Sequence, residues 1–245
     1  MPVDSKPHSS WADVYDLVYE HSFRNFYHEL TNVTLSVIED RVNSNSRIVD
    51  FGAGTGRLSI PLSKKGFDVV AVDPCEEMLA QLKQKQQNGK LQTICLKMEN
   101  FTTDDKFDVA LCVFTVLLYL LDEKSLLKAL SAAYQSLNSG GILLIDIPSE
   151  GIFHGYSYNE DALERSVSVA EQGENIYKYS ELIKIESGDG EEQCYQDEFT
   201  IRYWPKETVL ENLYGVGFSL EEDLFEMFSG TGSNYFIMKK PNKSI

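Results

Sequence analysis

Between Arg47 and Ile147 short runs rich in β-branched residues alternate with helix-like segments, and this alternation limits the chain to few architectures. The runs are Arg47–Phe51, Asp68–Val72, Leu91–Leu96, Phe107–Phe114 and Ile142–Ile147. Strands joined through helices become parallel neighbours, because a parallel pair needs a long crossover. The pattern therefore predicts an α/β fold: a mostly parallel sheet with helices on both faces. Among the helical segments, Arg57–Lys65 carries Pro61, which forces a late start or a bend. The next helix opens near Pro74, has Glu76 and Glu77 at its positive end, turns Met78, Leu79 and Leu82 inward, and stops at Asn88-Gly89. Asp122–Leu137 places Leu126, Leu127, Leu130, Ala133, Tyr134 and Leu137 on one face, with Gly140-Gly141 expected to close it.

Outside this block the pattern changes. Residues 1–9 read as a loose tail, and Ser10-Trp11-Ala12-Asp13 as a capped start to two helices, Trp11–Tyr19 and Ser22–Val42, ended by Asn43-Ser44-Asn45-Ser46. Beyond Pro148, Ile176–Ile185 and Gln193–Tyr203 flank the turn signal Ser187-Gly188-Asp189-Gly190 and predict an antiparallel hairpin. A short helix, Pro205–Leu213, and a β pair near Phe218–Phe228 and Asn234–Lys239 follow, giving an antiparallel strand near the C-terminus. The expected divisions are 1–43, N-terminal helices covering the site; 44–149, the α/β core; 150–203, an inserted β lid or dimer element; and 204–245, completing the core sheet.

Charge and composition remove several function classes. The formal net charge is −16 with no basic stretch to offset it, so a phosphate backbone meets a repulsive field and nucleic acid is not an expected partner. The longest uncharged apolar run, Val109–Leu121, is 13 residues, too short for a bilayer, so no membrane association is expected. Residues 1–6 lack the layout of a secretion signal. Cys75, Cys95, Cys112 and Cys194 show no paired spacing, and His8, His21 and His28 have no ligand-like spacing, so neither a disulfide framework nor a metal is expected. A cytoplasmic protein is the expectation.

The segment Val49-Asp50-Phe51-Gly52-Ala53-Gly54-Thr55-Gly56 ends a strand and opens a helix, where a ligand can approach backbone N–H groups. Asp73 stands at the end of the next strand, 21 residues after Gly52, where a carboxylate can accept both hydroxyls of a ribose. A dinucleotide fold prefers G-x-G-x-x-G; here the spacing is G-x-G-x-G, with Asp50 two residues ahead. An acid there suits an ammonium or sulfonium better than a pyrophosphate. Adenosine joined to a zwitterionic amino acid describes S-adenosylmethionine.

On these residues the sequence resembles the class I S-adenosylmethionine-dependent methyltransferases of small-molecule type, well over 11–148 and loosely beyond. The resemblance implies a Rossmann-like sheet. It further implies that Asp50, Gly52, Ala53, Gly54 and Gly56 wrap the methionine part of the cofactor, that Asp73 holds the ribose, and that Pro74 and Met78 pack beside the adenine. Met98 and Glu99 follow the third strand at the adenine edge, where the family often carries an acid and this chain has Lys97. The end of the fourth strand, which holds Cys112, would face the methyl group, with Thr115 to Tyr119 at the rim of the site. Tyr15 and Tyr19 resemble an aromatic pair that covers the cofactor in small-molecule members. The DNA-modifying members' Asn/Asp-Pro-Pro-Tyr sequence is absent from the fourth strand.

Each position also has a structural reading. The glycines can merely shape a turn, Asp73 can cap a helix, Tyr15 and Tyr19 can be core, and Cys112 can be a buried apolar residue. His154 can be a loop residue or a general base, and Tyr119, Tyr156 and Tyr158 are further candidates. The expected function is methyl transfer from S-adenosylmethionine to the N or O of a small molecule, with S-adenosylhomocysteine as product and a homodimer as an option. The alternatives are a non-catalytic S-adenosylmethionine-binding module and a nicotinamide-dependent oxidoreductase.

Overall fold

The computed structural model describes residues 6–86, 90–160, 162–186 and 190–242. In chain order the helices are α1 (Tyr15–Glu39), α2 (Ser59–Lys64), α3 (Glu76–Lys85), α4 (Glu123–Ser136) and α5 (Lys206–Val216). The strands are β1 (Arg47–Phe51), β2 (Asp68–Asp73), β3 (Leu91–Cys95), β4 (Phe107–Cys112), β5 (Leu137–Pro148), β6 (Tyr156–Glu160), β7 (Leu163–Gly173), β8 (Ile176–Glu186), β9 (Glu192–Arg202), β10 (Ser219–Asp223) and β11 (Ser233–Lys239). Seven of them form one sheet in the order β10-β11-β5-β4-β1-β2-β3. Strands β1 to β5 pair in parallel, as the alternation predicts, and β11 is antiparallel to β5.

The central strands are apolar on both faces because both are covered. Val49, Phe51, Val70 and Val72 pack with Leu126, Leu130, Val209 and Leu213 of α4 and α5. Ile48, Val69, Ala71 and Leu111 pack with Leu30, Ile38, Leu62, Leu79 and Leu82 of α1, α2 and α3. Burying each such side chain contributes roughly 1.5–3 kcal/mol.

Several local expectations are corrected. The two expected N-terminal helices are present, running end to end as α1 with a non-helical break at Arg24 (φ 47°, ψ −131°) and not at residues 20–21; they follow a 3-10 turn at Ser9–Trp11, and Ser10 Oγ donates to Gln196 O and does not cap α1. α2 begins late, so Pro61 falls in its first turn, where its missing N–H costs nothing. Pro74 precedes α3 and is not its first residue. α4 starts as expected, with Asp122 Oδ1 accepting from Ser125 N at 2.8 Å, but it ends at Ser136. Gly140-Gly141 lies inside β5, at an irregularity in its pairing with β4.

The largest difference is between β5 and α5. The expected hairpin is present as β8 and β9, but it is one half of a four-stranded antiparallel sheet, β6-β7-β8-β9, with β9 at its edge. β6 and β7 escaped notice because Tyr156–Glu160 is short and half polar and Leu163–Gly173 alternates charges with only Leu163, Arg165 and Val167 buried. Asn88-Gly89 and Ser187-Gly188-Asp189 lie outside the described residues.

Among the described residues no helix is long and apolar enough to cross a membrane, and no three His, Cys, Asp or Glu are grouped to hold a metal ion.

Candidate active site

In parallel register Phe51 lies beside Val72 and Cys112, and Cys112 beside Ile145, so one edge of the sheet gathers the carboxyl ends of β1, β2, β4 and β5. Such an edge is where open α/β sheets bind ligands. The loop after β1 folds back onto β2: Gly52 N donates to Val72 O at 2.8 Å, and Gly54 N to Asp73 Oδ2 at 2.9 Å. Gly52, Gly54 and Gly56 have φ of 72°, 53° and 92°, the left-handed region that favours glycine. Gly52 is exposed, and a Cβ on it would lie 2.4 Å from Val116 Cγ2; a Cβ on Gly54 would meet Met78 Cε at 3.4 Å. The cradle is thus a bare main chain between two side-chain walls. Gly52→Ala should lose about 1–3 kcal/mol of unfolding stability in urea titration, combining positive φ with overpacking. Val116→Ala should restore the overpacking part and leave the backbone part.

Asp73 is buried and its other oxygen, Oδ1, accepts from Cys75 N at 2.8 Å. Both the capping and the loop-binding roles therefore fall on one carboxylate. Burial raises its pKa, opposed by the N–H groups of Cys75 and Gly54. Asp50 is turned inward, accepting from Ser59 Oγ at 2.6 Å, and burial pushes it up to about 6. Asp146, which the sequence reading passed over, is also buried and raised by burial to about 6. It accepts from Thr115 N at 3.1 Å and fixes a turn in which Phe114 and Thr115 have φ of 70° and 68°.

A folded-state pKa near 6, against an ordinary 3.8, means that ionising Asp146 costs stability. That cost is fully present above about pH 6 and is relieved as pH falls from there toward 3.8. Asp146→Asn should therefore be more stable relative to wild type at pH 7.5 than at pH 4.5, in thermal unfolding at both. A pH-independent difference would show an unshifted carboxyl.

α1 closes over this edge from the other side. Asp16 Oδ1 accepts from Thr55 Oγ1 of the glycine loop at 2.6 Å, and Oδ2 pairs with Lys85 of α3. Tyr15 stacks between Trp11 and Tyr19, with centroids at 5.1 and 4.4 Å, and packs on the group formed by Ala12, Cys75 and Met78. Pro74 is half-buried beside them.

Beyond Tyr15 a buried polar and aromatic cluster packs between the N-terminal segment and the second sheet. His8, which the sequence reading set aside, is buried; its backbone N donates to Asp197 Oδ2 at 2.5 Å, and its Nε2 is 2.9 Å from the Tyr119 hydroxyl. Glu181 Oε1 accepts from Arg165 Nε at 2.6 Å, and both side chains are fully buried. The guanidinium lies 4.7 Å from the Tyr19 ring centroid and 5.4 Å from that of Tyr156. Burial and the Arg165 charge push His8 down to about 3, so its imidazole is neutral at pH 7. Tyr119 is 38% exposed, yet its phenol is raised by desolvation and by the charges of Glu181, Asp73 and Asp197.

Other expected residues are placed differently. Cys112 is fully buried with Sγ 3.8 Å from Met98 Sδ, and both belong to the core on the α4 face; their side chains do not line the edge. Ala53 and Gly56 are buried within the loop, Glu99 is half-buried and Lys97 exposed. His154 is exposed, its Nδ1 2.7 Å from Gly151 O. Tyr158 is half-buried against the Trp11, Val18 and Leu163 group. No spacing rule could have found Arg165, Glu181 or Asp197, which sit on polar alternating strands and meet His8 only through the fold.

Comparison with known proteins adds to this geometry. Residues 48–141 match the sequence profile of a methyltransferase domain. A glycine/sarcosine N-methyltransferase of Halorhodospira halochloris is 30% identical over 154 residues, which are 59% of this chain and 56% of that protein. The chain spans about half the length of the curated relatives it matches. A S-adenosylmethionine-dependent methyltransferase from Clostridium acetobutylicum superposes with TM-score 0.81 at 19% identity, over 94% of this chain and 99% of that one. The sugar N-methyltransferase KedS8 from Streptoalloteichus gives 0.76 at 19% identity, over 99% and 98%. Such low identities establish the fold alone, and the profile match is a likeness of residues 48–141. Residues 48–141 are thus similar to a methyltransferase domain, and the chain has the Rossmann-like fold seen in solved S-adenosylmethionine-dependent methyltransferases.

Proposed function

We propose that the protein transfers the methyl group of S-adenosylmethionine to the nitrogen of a small-molecule acceptor. The observation that carries this reading is the exposed glycine loop folded back onto Asp73, whose Oδ2 accepts from Gly54 N at 2.9 Å, at the carboxyl edge of the parallel sheet. The residues fit the cofactor in shape and charge. Gly52 leaves an open main chain, Ala53, Gly54 and Gly56 hold the turn, and Asp73 presents a carboxylate to ribose hydroxyls. Pro74, Met78 and Glu99 border the adenine side, while Asp50, Met98 and Cys112 support the site from beneath. Bound cofactor supplies an electrophilic methyl on a sulfonium, so the protein's part is alignment and exclusion of water. Residues 6–39 and the sheet β6–β9 roof the site and set specificity, with Tyr15 and Tyr119 nearest the transfer; His154 lies on the rim. A nitrogen acceptor is favoured because similar proteins are named as acting on glycine and sarcosine and on a sugar nitrogen. The acidic charge argues against a nucleic-acid partner.

Calorimetric titration with S-adenosylmethionine, S-adenosylhomocysteine and NAD tests the cofactor. Binding of the first two and not the third, with S-adenosylhomocysteine released when amines are added, supports the reading. Cofactor binding without turnover over a broad amine set would favour a binding module, and binding of NAD alone would overturn the assignment.

A further inference from the structure

Just past β4 two consecutive residues take a backbone conformation that their side chains disfavour. Phe114 and Thr115 have φ of 70° and 68°, the left-handed region that bulky and β-branched residues avoid. Such strain persists only where the surrounding structure holds it, and it gathers at ligand clamps and active sites. The holding group here is Asp146 of β5, 1% exposed. Both of its oxygens face Thr115 N, at 3.1 and 3.3 Å, a doubled acceptor that an amide cannot present. Burial raises its pKa, and the Ser233 side chain, the N–H groups of Thr115 and Phe114 and the charge of Arg57 oppose that. A buried carboxyl with such a shift, beside a ligand-binding sheet edge, points to a functional demand.

The turn sends its side chains to different walls of that edge. The Phe114 ring meets Tyr19 and Tyr27 of α1, with centroids at 5.7 and 5.9 Å, and lies 4.5 Å from the Arg57 guanidinium. Val116 lies against the bare main chain of Gly52, where a Cβ would come within 2.4 Å of its Cγ2. Thr115 O accepts from Leu118 N at 3.1 Å and opens the 3-10 turn Val116–Tyr119. A turn relaxed to right-handed φ would aim Phe114 and Val116 elsewhere, and the helix and the glycine loop would each lose a wall.

We infer that Asp146 is a positioning residue for cofactor binding: through Thr115 N it holds the strained turn that seats Val116 on Gly52 and Phe114 against α1. No ligand reaches its carboxylate, and its effect passes through the main chain. The inference rests on the S-adenosylmethionine reading for the identity of the ligand.

The test is calorimetric titration with S-adenosylhomocysteine at pH 7.5 of wild type, Asp146→Ala, Thr115→Gly and the double variant. Glycine enters the left-handed region without steric cost, so Thr115→Gly stabilises the turn independently of Asp146. Asp146→Ala should weaken binding about tenfold or more, and Thr115→Gly alone should stay within about threefold of wild type. The double variant should recover about threefold or more of the loss. A carboxyl that merely supported the core would lower the unfolding temperature without that recovery. Hydrogen exchange of the Thr115 amide, protected in wild type and opened in Asp146→Ala, reads the turn itself. Unchanged affinity in folded Asp146→Ala, a loss that Thr115→Gly does not lessen, or an amide still protected overturns the inference while the cofactor reading stands. If Asp146→Ala does not fold, Asp146→Asn replaces it, with a loss of about threefold and the same rescue expected, and the same outcomes decide. Failure of wild type to bind S-adenosylhomocysteine overturns the cofactor reading and this inference with it.

Discussion

Asp73→Ala is expected to weaken S-adenosylmethionine binding by about 30- to 150-fold, or roughly 2–3 kcal/mol, from the loss of charge-assisted hydrogen bonds to two ribose hydroxyls. The carboxylate is prepared for that work. Its oxygens are aimed by Gly54 N at 2.9 Å and Cys75 N at 2.8 Å, and it sits at the last residue of a strand buried on both faces. Truncation also frees those two N–H groups, so part of the effect would be a loosened glycine loop. Asp73→Asn separates the two contributions. Its amide oxygen keeps one backbone acceptor, so thermal stability should recover more than affinity does. Calorimetry at pH 7.5, beside thermal unfolding of the same samples, gives both numbers. Unchanged affinity in Asp73→Ala, with a folded protein, would remove Asp73 from the cofactor site.

How far the sequence exposed this arrangement depends on how local each signal is. The strands from Arg47 to Ile147 were legible because hydrophobic pattern, glycine position and helix start all lie within a few residues of one another. The glycine cradle was legible for the same reason: the left-handed turns at Gly52 and Gly54 need glycine whatever the rest of the chain does. Asp50 was read as a ligand neighbour from its spacing alone; its rotation inward to Ser59 is decided by the start of α2, which Pro61 had already made uncertain. Cys112 at the end of the fourth strand and Met98 after the third are placed by the resemblance, and position in the chain does not say which way a side chain turns. The buried cluster was illegible. Its carboxylates lie on β8 and β9, whose alternating polar residues look like a solvated surface until His8, 189 positions from Asp197, is laid across them.

The largest stability effect should come from that illegible part. Arg165→Met removes the cation and leaves Glu181 buried among rings and phenols. The cost should be about 3–5 kcal/mol, the range for breaking a buried pair from one side. The reverse truncation is not equivalent. In Glu181→Gln the guanidinium keeps the faces of Tyr19 and Tyr156, at 4.7 and 5.4 Å, and an amide oxygen for its Nε, so the loss should be smaller, about 1–3 kcal/mol. Ring faces repel an anion as they attract a cation, and that asymmetry sets the order. Part of the Arg165→Met penalty is relieved as pH falls, since Glu181 is already raised by burial and escapes further by taking up a proton. Adding Glu181→Gln to Arg165→Met should recover about 1–2 kcal/mol, because a neutral amide replaces an uncompensated charge. Urea unfolding of the two single variants and the double variant at pH 7.5 and pH 5.5 measures all of these terms. Equal losses in the single variants, independent of pH, would mean that Arg165 acts by filling space and not by its charge.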